Sequence, residues 1–230
     1  MPDQAHTAKS RTEQTFASIR TALVRGEFLP GTRLRIDQLG KQYDASIGAV
    51  REALSRLTAE GLVVAVPQKG FVVAPVSRKD LKDLTEVRVD IEVRCLTEAI
   101  KHGDLDWEGR ILSLQHKLRG LGPVMKDGRP FFPSDWHSVH EDFHEALTDA
   151  CPNGWWLRLR RQLFMQSERY RQYSGPVEAA DRDVTGEHDA IVDATIRRDA
   201  ETAAKAMSVH LWATTNMLLD SSLPFSDDPA

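Results

Sequence analysis

A change in hydrophobic periodicity near residue 76 divides this sequence into two parts that are expected to fold differently. Before that point, two helical patterns precede two β-branched runs, 63–66 and 71–73, which flank the hairpin-type sequence Pro67-Gln68-Lys69-Gly70. Beyond it, apolar residues recur only at the spacing of amphipathic helices. The sequence therefore predicts a mainly α-helical protein, with an N-terminal winged helix-turn-helix followed by an all-α antiparallel bundle.

The first part, residues 10–76, is predicted to contain three helices and one hairpin. Apolar residues at i, i+3 and i+7 indicate a helix over 13–24, which ends before Gly26. After a short segment over 36–43, Ser46 is a suitable N-cap for a further helix. The apolar stripe of that helix consists of Val50, Ala53, Leu54 and Leu57.

The second part, residues 79–222, is predicted to be helical throughout. Glycine and proline separate six amphipathic segments, which are 79–102, 105–119, 133–150, 155–173, 181–198 and 199–220. The short connections between them predict an antiparallel bundle. No strand is expected after residue 77, and 120–130 is expected to be a connecting loop.

Charge and composition restrict the class of protein. Residues 1–76 hold 10 Lys and Arg against 7 Asp and Glu, a net charge of +3, whereas the remainder carries −7, so the basic first part is compatible with nucleic-acid binding. No apolar run approaches the roughly 20 residues that cross a bilayer, and the polar start lacks a secretory signal, so a cytoplasmic protein without membrane contact is expected. Cys95 and Cys151 lie far apart in the sequence, which predicts neither a disulfide framework nor a cysteine zinc site.

The capped helix of the first part is the candidate DNA-contacting element. Its apolar stripe turns Gly48 and Arg51 outward at the N-terminal end, where a recognition helix meets base edges. Arg51 can donate two hydrogen bonds to a guanine, and the helix amides suit a phosphate. The candidate DNA contacts are Arg35, Ser46, Gly48, Arg51, Lys69 and Gly70. Two alternatives stay open, because these charges can simply be solvated and a winged helix can also bind protein as a scaffold.

One long segment carries a resemblance to a known family. The sequence PGTRLRIDQLGKQYDASIGAVREALSRLTAEGLVVAVPQKGFVVAPVS, residues 30–77, resembles the winged-helix domain of GntR-type transcriptional regulators. This resemblance implies binding to double-stranded operator DNA. Members of the family usually carry an Arg-Thr-Pro-like triplet after the capping serine, whereas this chain has Ile47, Gly48 and Ala49. The usual arginine at position 47 is therefore missing, and base preference is expected to differ.

Four histidines of the second part are expected to point into the bundle. His140 shares an apolar stripe with Trp136, Phe143 and Leu147, and His144 lies one turn further on. His188 and His210 lie on the inward stripes of two later helices. Imidazoles that meet from three helices are candidate ligands of one divalent metal ion. The alternative is that each is an ordinary core histidine with its own hydrogen bonds.

The same helix offers a different reading as an enzyme. His140-Glu141-Asp142-Phe143-His144 matches H-E-x-x-H, the motif of zinc metallopeptidases in which the glutamate acts as general base. Glu141 lies about 100° from His140 around the helix, and charged residues surround the motif. A chance match is therefore favoured, and no enzymatic activity is expected.

A second resemblance covers most of the remaining chain. Residues 136–153 (WHSVHEDFHEALTDACPN), 167–173 (SERYRQY) and 187–211 (EHDAIVDATIRRDAETAAKAMSVHL) resemble the FCD ligand-binding domain of the fatty-acid-regulator subfamily of GntR proteins, with the greatest likeness to the carbon-starvation-induced regulator branch. Many FCD domains bind a divalent metal through an Asp, a His four residues later and two further His. The matching positions are His140, His144, His188 and His210. A histidine at position 140, where Asp is usual, favours a softer metal such as zinc or nickel, or else weakens the site.

Inward-facing basic and phenolic side chains predict an effector site. Arg88 falls on an apolar stripe and needs an anionic partner, which is either Glu92 or a bound acid. Arg160 and Tyr170 are expected to face inward as well, whereas Arg169 is expected to point away. The candidate effector contacts are Arg88, Arg160 and Tyr170, and the expected effector is a small carboxylate or dicarboxylate. The expected protein is a homodimeric repressor, because one small winged helix contacts too few bases alone.

Overall fold

The computed structural model describes residues 11–122, 124–126, 129–131, 133–174, 182–221 and 225–226. In these ranges the chain forms two compact units. The first unit contains the described residues up to Ser77 together with residues 225–226, and the second begins at Arg78 and includes all described residues through 221. Among the described helices, none combines the length and apolar character that a membrane span requires.

The first unit consists of three helices and a three-stranded antiparallel sheet. In chain order the elements are α1 (Arg11–Val24), β1 (Arg33–Leu34), α2 (Ile36–Gln42), α3 (Ile47–Ala59), β2 (Val63–Val66) and β3 (Gly70–Val73). The strand order is β1-β3-β2, so the hairpin β2–β3 is extended on its β3 side by the short strand β1. Helices α1 and α3 pack directly against each other.

Helix α3 begins where the sequence predicts. The Ser46 hydroxyl accepts a hydrogen bond from the backbone N–H of Ala49 at 3.2 Å, which satisfies one of the amides left free at a helix start. The predicted apolar stripe of α3 is fully buried. Two ion pairs, Arg56–Glu13 and Arg20–Glu60, join α3 and its C-cap to α1 at 2.9 Å each. The N-terminal turn of α3 therefore sits on a firmly packed helix pair.

Strand β1 was not expected from the sequence. It contains only two residues, too few for an alternating pattern to be recognised, and Leu34 is placed by pairing with Phe71 of β3. Its pairing fixes the segment that leads into α2. Long-range pairing of this kind leaves no local signature in the sequence.

The second unit is a bundle of six helices: α4 (Arg78–His102), α5 (Leu105–Gly120), α6 (Ser134–Ala146), α7 (Gly154–Ser174), α8 (Val184–Ile196) and α9 (Ala200–Leu219). Helix α4 packs against α7 and α9, α8 packs against α9, and α5 packs against α6 and α8. The core between them is built around the fully buried side chains of Trp107, Ile111, Phe143 and Leu147.

The expectation that no strand follows residue 77 is wrong at one place. Strands β4 (Val124–Lys126) and β5 (Arg129–Phe131) form an antiparallel pair inside the segment that was expected to be a loop. Each strand has three residues, which is below the length at which alternation becomes visible, and Pro130 disfavours a strand. The intervening sequence Asp127-Gly128 is typical of hairpin turns, and the hairpin could have been predicted from it.

Two helix ends also differ from the sequence-based bounds. Helix α6 ends at Ala146 rather than near residue 150, and the indole N–H of Trp107 donates to the Ala146 carbonyl at 2.7 Å. Helix α8 begins at Val184 rather than 181, because Asp183 is its N-cap and accepts from the Gly186 N–H at 2.8 Å. Both ends are therefore set by hydrogen bonds at the helix termini rather than by apolar periodicity.

The two cysteines meet in the core of the bundle, although the sequence separates them widely. Cys95 and Cys151 are both free and buried, and their side chains contact each other. Burial, together with the neighbouring Cys151 thiol, raises the pKa of Cys95 to about 12. The Cys95 thiol therefore stays protonated at neutral pH, which makes it a poor nucleophile and a poor metal ligand.

Candidate functional site

All six predicted DNA contacts in the first unit are exposed. Ser46, Gly48 and Arg51 lie in the N-cap and first turns of α3, whose opposite face is buried against the core. Within the described residues, Arg51 makes no ion pair or side-chain hydrogen bond, so its guanidinium donors are available to an external acceptor. This is the orientation that a base-contacting arginine requires.

Gly48 is not required by the packing of the domain. A Cβ added at this position would come no closer to another atom than 3.9 Å, the distance to the Ser46 hydroxyl oxygen. Glycine lowers helix stability by up to about 1 kcal/mol relative to alanine. Internal packing therefore does not require glycine at position 48. Its absence of a side chain leaves the surface of α3 open beside Arg51.

The hairpin between β2 and β3 presents the other predicted contacts. Lys69 and Gly70 are exposed at its tip, and Gly70 adopts a positive φ of 80°. The Lys69 N–H donates to the Val66 carbonyl at 3.1 Å, which closes the turn. Arg35 precedes α2 and is exposed as well. The first unit therefore carries a basic wing and an exposed helix start, as expected of a winged helix.

In the second unit, four buried histidines come together from three helices. His140 and His144 lie on α6, His188 lies on α8, and His210 lies on α9. One nitrogen from each ring can be chosen so that all four lie within 4.8 Å of one another. The Nε2 atoms of His140 and His144 are 3.1 Å apart. The cluster predicted from the helical stripes is therefore present, with all four of its members.

All four imidazoles are neutral at neutral pH. Burial is the main cause, and repulsion from neighbouring arginines and from the other rings adds to it; the pKa values of His140, His144 and His188 fall well below the usual 6.5. The pKa of His210 is also lowered by burial, although Glu187 opposes the shift. Neutral rings retain the nitrogen lone pair that a metal ion needs.

A carboxylate fixes the orientation of one ring. His210 Nδ1 lies 2.8 Å from a Glu187 carboxylate oxygen, and Arg182 forms an ion pair with the same carboxylate. Burial alone would raise the pKa of Glu187, but hydrogen bonds from His210 and Arg182 lower it to about 2. A charged acceptor at Nδ1 places the proton there, which leaves Nε2 of His210 as the free donor atom. Carboxylates commonly orient metal-binding histidines in this way.

The histidine cluster meets the chemical requirements of a divalent metal site. His140 Nδ1, His144 Nδ1 and His188 Nε2 are buried and have no hydrogen-bond partner among the described residues. Leaving such atoms unsatisfied costs about 1–3 kcal/mol each. An ion held by the Nε2 atoms would satisfy His188 Nε2, whereas the two Nδ1 atoms would still need other partners. The 3.1 Å between two Nε2 atoms is close to the separation of about 3.3 Å between two nitrogens bound to one tetrahedral zinc ion. A donor set of four neutral imidazoles suits zinc, nickel or copper better than magnesium or calcium.

A small cavity adjoins the cluster. Its volume is about 30 Å³, and its wall combines His140, His144 and His210 with the guanidinium groups of Arg88, Arg171 and Arg182. A cavity of this size holds two or three water-sized groups, which is close to the size of one carboxylate. The wall also includes Glu168, so three arginines and one carboxylate line the cavity, a balance that favours an anion.

Arg88 faces the cavity and also pairs with a carboxylate behind it. One guanidinium nitrogen donates to the Ser167 hydroxyl at 2.7 Å, and Nε lies 3.5 Å from a Glu92 oxygen without a hydrogen bond. Burial lowers the pKa of Arg88. Both partners anticipated for this residue are therefore available, because Glu92 is nearby and the cavity offers room for an external acid.

Arg160 and Tyr170 are buried but do not line this cavity. Arg160 donates to the second Glu92 oxygen at 3.0 Å, and the Tyr170 hydroxyl donates to Asp80. Direct contact between these two residues and an effector stays a prediction. Arg169, which was expected to point away, is instead buried and lies over the Tyr170 ring at 5.4 Å.

Sequence reasoning missed Arg171 and Arg182 as cavity residues. Arg171 forms an ion pair with Glu168 and lies over the Trp136 ring at 5.4 Å, and Trp136 in turn stacks on His140 at 4.5 Å. The i, i+3 spacing of Glu168 and Arg171 on α7 was an available signal. Arg182 lies inside the predicted helical segment 181–198 but precedes the observed start of α8 at Val184, so a helical wheel drawn over that segment gives it the wrong direction.

The H-E-x-x-H reading does not fit the geometry. His140 and His144 are buried in the cluster, whereas Glu141 between them is exposed on the outer face of α6. A general base must lie at the metal and its bound water. The side chain of Glu141 is on the wrong side of the helix for that role.

The pKa shifts predict that acid destabilises the metal-free protein. The three histidines with strongly lowered pKa stay neutral when folded, whereas in the unfolded chain they bind protons below about pH 6.5, so stability falls as the pH falls. Between pH 7.5 and 5.5, each histidine is expected to contribute a loss of about 1.4 kcal/mol. Urea unfolding with a chelator present measures the difference. His116→Ala, an exposed control on α5, should leave it unchanged, and an equal free energy of unfolding at both pH values would contradict the prediction.

Comparison with known families covers both units. Residues 11–73 match the model described as bacterial regulatory proteins, gntR family, and residues 83–213 match the FCD domain. The HTH-type transcriptional regulator BphR of Paraburkholderia xenovorans is 36% identical over 211 residues, which cover 91% of this chain and 86% of that protein. The HTH-type transcriptional repressor GlaR of Escherichia coli is 32% identical over 198 residues, which cover 84% of this chain and 89% of that protein.

Solved structures show the same fold. E. coli McbR/YncC matches with a TM-score of 0.76 at 21% identity, covering 92% of this chain and 98% of its own. A GntR-type regulator from Rhodococcus sp. RHA1 matches with a TM-score of 0.73 at 21% identity and the same coverage. Together with the family models and the two relatives, these matches place the chain: it belongs to the GntR family of bacterial regulatory proteins, carries an FCD domain, and is a DNA-binding transcriptional regulator rather than an enzyme.

Proposed function

We propose that this regulator is a homodimeric repressor whose operator affinity is controlled by a small carboxylate bound beside a histidine-held divalent metal. The observation that carries the proposal is the basic cavity next to four neutral, buried imidazoles. A helical unit with only a structural role would have little reason to bury three unpartnered imidazole nitrogens beside three arginines. The proposal includes a cytoplasmic location, since operator DNA lies there.

On the DNA side, each proposed contact has a distinct role. Arg51 contacts a guanine edge, Gly48 permits close approach of the helix, and Ser46 with the first amides of α3 faces a phosphate. Arg35 contacts the backbone, and the wing residues Lys69 and Gly70 reach the adjacent groove. Two winged helices dock on neighbouring half-sites of a pseudo-palindrome. The assignment as a repressor is supported by the relative that is named a transcriptional repressor.

On the effector side, His140, His144, His188 and His210 would hold the metal, with zinc or nickel as the ions that best suit their nitrogens. When bound, the ion supplies a fixed positive charge that attracts a carboxylate oxygen. Glu187 keeps the His210 ring in place, and Trp136 packs over His140. The chain's own residues thus set the ring positions.

The arginines select the charge of the effector. Arg88, Arg171 and Arg182 supply cationic donors at the cavity wall; Arg171 pairs with Glu168, Arg182 pairs with Glu187, and Arg88 shares Glu92 with Arg160. Arg160 and Tyr170 remain in the proposed effector set, although neither lines the cavity. Arg160 forms an ion pair with Glu92, and the Tyr170 hydroxyl donates a hydrogen bond to Asp80. Planar guanidinium groups suit carboxylates because they donate two parallel hydrogen bonds.

Coupling between effector and DNA runs through α4. Arg88 lies on α4. The first residue of α4, Arg78, directly follows Ser77 of the first unit. An effector shifts the equilibrium only by its different affinity for two states, so the acid must prefer the bundle geometry that does not fit the operator. Arg88 is the residue that would sense the acid and move α4.

A carboxylate panel tests the effector half of this proposal. The probe is a duplex enriched from random-sequence DNA by the wild-type protein, and the panel pairs small mono- and dicarboxylic acids with their uncharged amides. At least one acid, but not its amide, is expected to change duplex affinity by about tenfold or more. Arg88→Lys should remove the effect because it loses the planar guanidinium, whereas Arg94→Lys, an exposed change on α4, should keep it. A response shared by acid and amide, or none at all, would contradict the proposal.

A further inference from the structure

Ile47 is a large apolar residue on the exposed start of α3. It is the first residue of the helix, directly after the capping Ser46, and 61% of its surface is exposed. Single exposed apolar residues are common and need no explanation by themselves. The position of Ile47 distinguishes it, because the first turn of this helix is the part that meets base edges.

Ile47 has no packing role that explains its presence. The buried face of α3 starts at Val50 and excludes Ile47. A hydrophobic staple would use the residue before the cap, Ala45, rather than the residue after it. Isoleucine is also a poorer helix former than alanine. The side chain is thus free to contact a molecule outside the domain.

The neighbours of Ile47 are the other candidate base contacts. Ile47 and Arg51 are separated by four residues, so their side chains lie side by side along one exposed stripe of the helix. Gly48 adds no side chain between them, and a Cβ there would fill open space. The surface is therefore a flat patch with one apolar and one cationic group.

We propose that Ile47 contacts the C5-methyl group of a thymine in each operator half-site, close to the guanine contacted by Arg51. The inference rests on the proposed function, since it requires α3 to lie in the major groove. In that groove the thymine methyl is the apolar feature of the base edges, while the other features are hydrogen-bond donors and acceptors. An isoleucine side chain has no hydrogen-bonding group and can distinguish bases there only by apolar contact.

Removal of the thymine methyl provides the test. Each thymine of the enriched duplex is replaced in turn by uracil, which pairs identically with adenine and lacks only the methyl group. For wild-type protein, one thymine per half-site is expected to show about a threefold to fivefold loss of affinity, the size expected for one methyl removed from an apolar contact. For Ile47→Ala, the same replacement should have no further effect, because the two changes remove the same contact.

Two matched proteins keep the result interpretable. Ile47→Val retains a branched apolar side chain and should keep most of the uracil sensitivity. Val209→Ala removes a side chain of similar exposure, 65%, from the second unit and should keep all of it. The readout is the affinity ratio between thymine and uracil duplexes for each protein, so a uniform change in affinity does not affect it.

The outcomes separate the two proposals. Specific binding without sensitivity to any thymine methyl, or sensitivity that persists in Ile47→Ala, overturns the inference about Ile47 and leaves the proposed function standing. Failure of the wild-type protein to enrich any sequence from the random pool overturns both. Sensitivity confined to one thymine per half-site and absent from Ile47→Ala supports the inference.

Discussion

Replacing Arg51 with alanine is expected to abolish sequence-specific operator binding while the fold stays intact. The guanidinium is exposed at the start of α3 and has no partner among the described residues, so its removal costs little stability. Loss of one bidentate contact to guanine weakens binding by about 1–3 kcal/mol, and a dimer loses two. The expected fall in affinity is therefore about 30-fold to more than 1,000-fold, measured by fluorescence anisotropy against the enriched duplex.

Comparison with two other arginines shows whether the effect is base-specific. Arg35→Ala should weaken specific and non-specific DNA about equally and reduce the salt dependence of binding, as expected for a phosphate contact. Arg94→Ala, on the surface of α4, should leave specific binding unchanged apart from a small effect of net charge. Unchanged operator affinity in Arg51→Ala would refute the base-contact assignment.

Replacing both His144 and His188 with alanine is expected to remove the bound metal. These two residues come from α6 and α8, so the double change leaves two nitrogens in place of four. A ligand present at about 1,000 times its dissociation constant stabilises the folded state by about 4 kcal/mol, which corresponds to roughly 10 °C in Tm for a unit of this size. Wild-type protein should therefore lose about that much on chelation, and the variant should lose nothing. Its effector response should also be blunted.

The design separates metal loss from simple destabilisation. Both histidines are buried, so alanine leaves voids that lower Tm without any metal. The informative quantity is the difference in Tm between zinc-loaded and chelated protein within each variant, together with the metal content by elemental analysis. His116→Ala, on an exposed position of α5, should behave as wild type. Stoichiometric metal in the double variant would disprove the four-histidine site.

The regular parts of the fold were predictable because their signals are local. The capping serine of α3, the buried stripe behind it and the glycine or proline breaks between bundle helices all lie within a few residues of the elements they define. Strand β1 and the hairpin β4–β5 were not predictable in the same way, since strands of two or three residues are fixed by pairing partners rather than by their own pattern. Helix ends such as Ala146 depend on contacts from another helix.

The histidine cluster was predictable for a related reason. Each ring lies on a long regular helix, so the helical wheel alone gives its direction. The side-chain positions of the arginines were harder to predict. The position of Arg160, for example, is set by its ion pair with Glu92 on another helix. Arg182 lies before the observed start of α8, although the sequence predicts a helix from residue 181, so its position on a helical wheel is misleading. The contact between Cys95 and Cys151 shows the same limit, since sequence distance carries no information on tertiary contact.

The full burial of Glu92 between two arginines restricts how this protein can evolve toward another ligand. Glu92 lies 3.5 Å from Arg88 and 3.0 Å from Arg160, and loss of this carboxylate would leave two cations uncompensated in the core, whereas breaking a single buried pair already costs about 3–5 kcal/mol. Arg182, whose ion pair is less buried, can change with a smaller penalty. Changes in effector specificity are therefore expected to arise first at Arg182. The residues Arg88, Glu92 and Arg160 are expected to be retained together.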